Sequence, residues 1–159
     1  MKLSTRARYG TRILLELSLH WGEGPVLLKE IAQRQQIPLP YLQQLIGPLV
    51  KAGIIKTTRG ARGGISLSKL PKEVRLSEVI QILEGSITPV PCVDNPELYS
   101  RSDSCVTHDI WAVVKQAMDR VLESTTFEDL LERTRKKMKN GPIGANPKEK
   151  IDFIEKKNN

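Results

Sequence analysis

The chain is short of the residues from which most enzyme centres and secreted scaffolds are built. Its 159 residues include 2 cysteines, 2 histidines, 2 tryptophans, 3 tyrosines and 2 phenylalanines. So few cysteines exclude a disulfide framework. With few aromatics and no nucleophile placed beside a base, catalysis is not expected. No apolar run approaches the roughly 18 residues needed to span a bilayer. The opening Met1-Lys2-Leu3-Ser4-Thr5-Arg6 is basic, but the apolar stretch behind it is interrupted by Glu16 and no small-residue cleavage site follows. A secretory signal is therefore not expected and the location is read as cytoplasmic. In that reducing setting Cys92 and Cys105 are expected to be free, redox-active or metal-bound.

Acidic residues are scarce in one half only. Residues 1–69 hold 11 Lys+Arg against 3 Asp+Glu, a net +8, whereas residues 70–159 hold 14 against 15, a net −1. The whole-chain charge of +7 is thus an N-terminal property. Positive charge concentrated in this way is a footprint for polyanions, with nucleic acid the leading candidate.

Between residues 4 and 21 the apolar positions Tyr9, Ile13, Leu14, Leu17 and Trp21 recur at helical spacing, with Ser4 or Thr5 as N-cap and Gly22 and Gly24 closing the pattern. Arg6, Arg8 and Arg12 form a polar row able to face phosphates. Leu28 to Gln35 predicts a short second helix with Leu28, Ile31 and Ala32 inward, and Pro38 and Pro40 then break the backbone. A third helix from about Pro40 places Tyr41, Leu42, Leu45, Ile46, Leu49 and Val50 on an apolar face, leaves Gln43, Gln44 and Lys51 outward, and ends at Ala52-Gly53. Pro48 inside it predicts a bend.

Two helices joined by a tight turn read as helix-turn-helix. Residues 54–58 and 65–68 then alternate as strands, joined by Arg59-Gly60-Ala61-Arg62-Gly63-Gly64. A basic hairpin directly after a helix-turn-helix predicts a winged helix, with the third helix in the major groove and a wing arginine in the minor groove. Tyr41, Gln43 and Gln44 are the candidate base readers, Arg59 the minor-groove residue, and Arg6, Arg8, Lys56 and Arg62 the phosphate contacts.

The second half predicts a helix from Leu76 to its stop at Gly85, and a polar loop over 86–104. Val106, Ile110, Val113, Val114, Ala117 and Val121 then follow steps of three and four in a long narrow stripe, a pattern suited to pairing with a second copy or to an intramolecular contact. Thr125 to Glu128 has capping-box spacing and opens a last short helix with Phe127, Leu130 and Leu131 inward. The expected fold is mainly α: a winged helix-turn-helix over 1–70, dimerisation and sensing helices over 71–135 with the loop 86–104, and a flexible basic tail over 136–159.

Cys92, Cys105 and His108 are the nearby soft donors. Cys105 and His108 lie one turn apart, and Cys92 lies 13 residues earlier. Sulfur and imidazole suit zinc, copper or an iron–sulfur cluster, and two unconnected thiols beside a surface histidine fit the same spacing.

Leu3-Ser4-Thr5-Arg6-Ala7-Arg8-Tyr9, Pro40-Tyr41-Leu42-Gln43-Gln44-Leu45, Arg59-Gly60-Ala61-Arg62-Gly63-Gly64 and Cys105-Val106-Thr107-His108-Asp109-Ile110-Trp111 together resemble the IscR-like winged-helix regulators, a family that includes NsrR and CymR. The resemblance covers about residues 1–135. It implies a homodimer crossed through the long helix, with a 2Fe-2S cluster on each subunit held by three cysteines and a fourth ligand. Cys92, Cys105 and His108 are similar to three of those four, while Ser100 stands at the position matched to the missing cysteine. A serine hydroxyl is a poor soft-metal ligand, so the resemblance implies a cluster that is absent or weakly bound in this chain. Gln43 also departs from the glutamate typical of the IscR branch.

The function implied is a dimeric repressor acting on a palindromic DNA site, controlling iron–sulfur cluster assembly genes and switched by 2Fe-2S occupancy. The alternatives are a CymR-like regulator of cysteine metabolism without a cluster and an NsrR-like nitric oxide sensor. Iron–sulfur assembly proteins or a cysteine synthase are the protein partners these readings suggest. Zinc at the same three donors is a separate reading.

Overall fold

The computed structural model describes residues 3–100 and 104–139. Its first helix, α1 (Thr5–Leu19), is capped by Ser4, whose hydroxyl accepts the Ala7 amide. Short α2 (Leu28–Arg34) and α3 (Leu39–Lys51) follow. Between them Gln36 takes φ +52°, the left-handed corner of the helix-turn-helix. Helix α3 runs through Pro48 to Lys51, and the Ala52 amide donates to the Pro48 carbonyl at 3.0 Å. Proline offers no N–H to the Gln44 carbonyl one turn earlier, on a part of the helix that is exposed.

Strands β1 (Ile55–Thr58) and β2 (Gly64–Leu67) pair antiparallel, with Ile55 opposite Leu67 and Thr58 opposite Gly64. A feature the sequence did not announce is a second pairing: Val26 and Ile65 exchange two backbone hydrogen bonds of 2.8 Å. It brings the two backbones so close that a Cβ on Gly64, at φ +154°, would lie 2.3 Å from the Val26 carbonyl oxygen.

Helix α4 (Leu76–Glu84) ends at Gly85 with φ +81°. It crosses α1 at Gly10, where an added Cβ would sit 2.0 Å from Leu83 Cδ1. Glu84, the last residue of α4, accepts the Ser4 hydroxyl and the Ser4 amide, which ties the two helix ends. The segment expected as a plain polar loop contains a one-turn helix, α5 (Pro91–Asp94), and a 3₁₀ turn over Pro96–Leu98. Each begins with proline, whose fixed φ suits a first turn.

Helix α6 (Val106–Ser124) buries none of its 19 residues. It packs on α4 and α5. Helix α7 (Phe127–Lys139) folds back on α1. Its cap is one residue later than the sequence suggested. Thr126, not Thr125, exchanges hydrogen bonds with Asp129: the Thr126 amide and hydroxyl donate to the carboxylate at 2.8 and 2.6 Å, and the Asp129 amide donates back at 3.2 Å. Thr125 instead gives its carbonyl to the Leu76 amide at 2.9 Å, joining the starts of α4 and α7. The first residues assigned to a tail, 136–139, form the last turn of α7, and residues 140–159 lie outside the described residues.

One core unites α1 to α4, the hairpin and α7. Ile13, Leu14, Leu17, Ile31, Leu42, Leu45, Leu49, Ile54, Ile65 and Leu67 pack with Val74, Val79, Leu83 and Phe127. It therefore continues across the boundary expected at residue 70. Trp21, read as part of the first apolar pattern, lies beyond α1 and is 41% exposed.

Candidate nucleic-acid interface

Burying Leu42, Leu45, Ile46 and Leu49 turns the opposite side of α3 outward, and Gln43 and Gln44 are exposed there. Tyr41 is half-buried in the first turn and meets Tyr9 of α1 edge-on, with ring centroids 6.0 Å apart and planes at 82°. Arg6 and Arg8 are exposed at the start of α1, Lys56 on β1, and Arg59 and Arg62 in the hairpin loop. Amides and a phenol on a helix face, flanked by cations on a hairpin and a neighbouring helix, can pair with base edges and phosphates together.

The cations divide into two sets. Arg34 lies 2.6 Å from Glu16, Lys69 3.1 Å from Glu78 and Lys115 2.6 Å from Asp119, so these already have a carboxylate. The Asp119 hydrogen bond raises the Lys115 pKa above its ordinary value. Arg6, Arg8, Lys56, Arg59 and Arg62 have no carboxylate partner among the described residues. A carboxylate would have to be displaced before a phosphate could bind; these five need no such exchange.

Arg12 departs from the expected phosphate row. Its Nε donates to Gln35 Oε1 at 3.0 Å, its Nη2 to the Gln35 carbonyl at 2.7 Å, and its guanidinium carbon sits 5.3 Å from the Tyr9 ring centre. Gln35 in turn donates to buried Glu16 at 2.6 Å. The Glu16–Arg34 contact is ionic, without the alignment of a hydrogen bond. Sequence periodicity offered one clue to this network: Glu16 falls among the apolar positions of α1.

The soft donors are arranged differently from a metal centre. His108 Nε2 lies 3.1 Å from the Cys92 carbonyl oxygen, so the ring faces backbone rather than sulfur. Cys105 is the N-cap of α6, and its Sγ lies 3.1 Å from the Thr107 hydroxyl. That hydroxyl first, and the His108 amide second, hold the Cys105 pKa below the ordinary 9.0. Ser100 is exposed. Among the described residues no three His, Cys, Asp or Glu side chains come together as a metal ion requires. A 2Fe-2S cluster needs four soft donors. A chain with two cysteines, whose nearby histidine is turned to a carbonyl, does not fit that group.

Among the described residues no helix is long and apolar enough to cross a membrane. Residues 3–133 match the family model Rrf2, described as an iron-dependent transcriptional regulator. The chain is 41% identical over 134 residues to the HTH-type transcriptional regulator CymR of Bacillus subtilis, covering 84% of this chain and 92% of that protein. It is 35% identical over 131 residues to the HTH-type transcriptional regulator IscR of Photorhabdus laumondii, covering 82% and 79%. Among solved structures it resembles CymR, the global cysteine regulator of B. subtilis, with a TM-score of 0.73 at 38% identity over 84% of this chain and 98% of that one. It also resembles T. potens IscR, with a TM-score of 0.69 at 40% identity over 84% and 88%. With a winged-helix fold, an outward α3 and a family match over most of its length, the chain belongs to the Rrf2 family of transcriptional regulators.

Proposed function

We propose that the protein is a homodimeric, cytoplasmic repressor that reads a palindromic DNA site and works without a resident iron–sulfur cluster, as a regulator of the CymR kind. The observation that carries the DNA reading is that Arg6, Arg8, Lys56, Arg59 and Arg62 gather on the start of α1, β1 and the wing around the outward side of α3, exposed and without a carboxylate partner among the described residues. Dimerisation is supported by α6, where Val106 is 77%, Ile110 59%, Val113 57% and Val121 62% exposed. An apolar stripe this open on a 19-residue helix is costly in water and suited to a second copy. The donor set around Cys92, Cys105 and His108 favours the cluster-free alternative over the cluster-switched one. In this reading Gln43 and Gln44 pair with base edges, Tyr41 supports them, Arg59 enters the minor groove, and Arg6, Arg8, Lys56 and Arg62 meet phosphates.

The test is anaerobic purification of the whole chain, with iron, sulfide, visible absorbance, molar mass and binding to an in vitro selected duplex all measured on one preparation. A dimer that binds DNA with negligible iron is expected. A stoichiometric cluster whose loss alters DNA affinity would restore the IscR-like reading. A chain that selects no duplex is not this regulator at all.

A further inference from the structure

The last turns of α7 carry charge that the winged helix does not account for. Arg133, Lys136 and Lys137 are spaced by three and four, so they share one side of the helix, and Arg135 stands beside them. All four are exposed, while Leu130, Leu131, Thr134 and Met138 turn inward. No described carboxylate pairs with Arg135, Lys136 or Lys137. The acids of α7, Glu128, Asp129 and Glu132, sit in its first half. Cations do complement the negative end of a helix dipole, but the effect is confined to the last turn. It does not call for four cations within five residues.

Nor is this end a loose arm. Phe127 is fully buried in the core that holds Ile13, Leu14 and Leu17 of α1, and Leu131 is 5% exposed. The helix that carries the cations is therefore anchored on the body of the winged helix through its first turns. The outward residues of its last turns, 133, 135, 136 and 137, are all cationic. A protein-docking surface would be expected to offer an apolar or aromatic anchor. An array of one sign, with no apolar anchor and no described carboxylate on Arg135, Lys136 or Lys137, fits a polyphosphate backbone better.

We propose that the cationic end of α7 binds the phosphate backbone of DNA flanking the bases read by α3 and the wing. This rests on the DNA-binding reading above, and the test separates the two. Two duplexes are compared by fluorescence anisotropy over a salt series: a site selected in vitro by the full chain and trimmed to its core, and the same site with about ten base pairs, one helical turn, added at each end. At about 0.9 slope units per phosphate neutralised, three side chains on each subunit of a dimer should make the log–log salt slope of the parent steeper on the long duplex by about 5 units. The variant R135Q/K136Q/K137Q, which keeps good helix formers, should lose that difference and bind the core duplex within about twofold of the parent. The charge-preserving R135K/K136R/K137R should keep the difference. Equal slopes on both duplexes for the parent, or a steep slope retained by the glutamine variant, would overturn the proposal and leave the winged-helix reading standing. Failure of the parent to bind either duplex would overturn both.

Discussion

Tyr41 of α3 is held edge-on by Tyr9 of α1, 6.0 Å between ring centres, and Tyr9 is in turn covered by the Arg12 guanidinium. A residue at the start of α3 is thus positioned by a neighbouring helix. Tyr41→Phe keeps the ring pair and removes the hydroxyl. It should leave thermal stability within about 0.5 kcal/mol and lower DNA affinity. Tyr9→Leu removes the pair and should cost about 1 kcal/mol in chemical denaturation. Unchanged DNA affinity in Tyr41→Phe would mean that the hydroxyl does not touch DNA.

Arg59 opens the hairpin loop and is exposed. Arg59→Ala should weaken DNA binding while leaving the melting temperature unaltered. In a dimer it should also flatten the salt slope, by about one unit for each phosphate no longer neutralised. Titrations of a selected duplex at several salt concentrations measure both effects.

Ile110 and Val113 lie on the open stripe of α6, 59% and 57% exposed. Placing a carboxylate there costs little in the monomer and much in an apolar interface. Ile110→Asp and Val113→Asp should shift the molar mass in light scattering from dimer to monomer and abolish tight binding to a palindrome. The folded monomer should keep its far-UV circular dichroism.

Glu16 is 4% exposed and receives Arg34 and Gln35, each at 2.6 Å. Glu16→Ala leaves a partly buried guanidinium without its near partner and frees the Gln35 amide. The loss should be about 3 kcal/mol, the low end for a broken buried pair, because Arg34 keeps 28% of its side-chain exposure. Glu16→Gln, which retains an acceptor, should cost less. Urea midpoints of the two variants give the comparison.

Asp129 titrates below the ordinary aspartate value of 3.8 because the Thr126 hydroxyl and amide donate to its carboxylate. A carboxylate with a lowered folded pKa stabilises the fold fully above its unfolded value, and that contribution disappears as the pH falls through the folded value. The melting-temperature gap between the parent and Asp129→Ala should therefore be largest near neutral pH and shrink below pH 3.8. A gap that widens in acid would contradict the cap.

The elements most visible in the sequence are those with local causes. The spacing of Leu42, Leu45, Ile46 and Leu49 places α3, the glycines between Arg59 and Gly64 mark the hairpin, and Gly85 stops α4. The elements misjudged were set by distant partners. Arg12 looked like one more phosphate contact because its partner Gln35 is 23 residues away. Val26 carried no strand signal because a single residue pairs with Ile65. The cap of α7 moved from Thr125 to Thr126 because the Thr125 hydroxyl donates back to the Val121 carbonyl of α6 while its own carbonyl accepts the Leu76 amide.

By itself the sequence determined a basic winged helix, an apolar stripe at helical spacing and a shortage of soft ligands, since composition and period depend only on neighbours along the chain. The tertiary structure decided which cations lie beside carboxylates and which stand exposed without one among the described residues. It also decided that His108 faces the Cys92 carbonyl and that α7 is fastened to the core at Phe127. Those outcomes depend on side chains meeting across many residues, where distance in space rather than position in the chain sets the electrostatics.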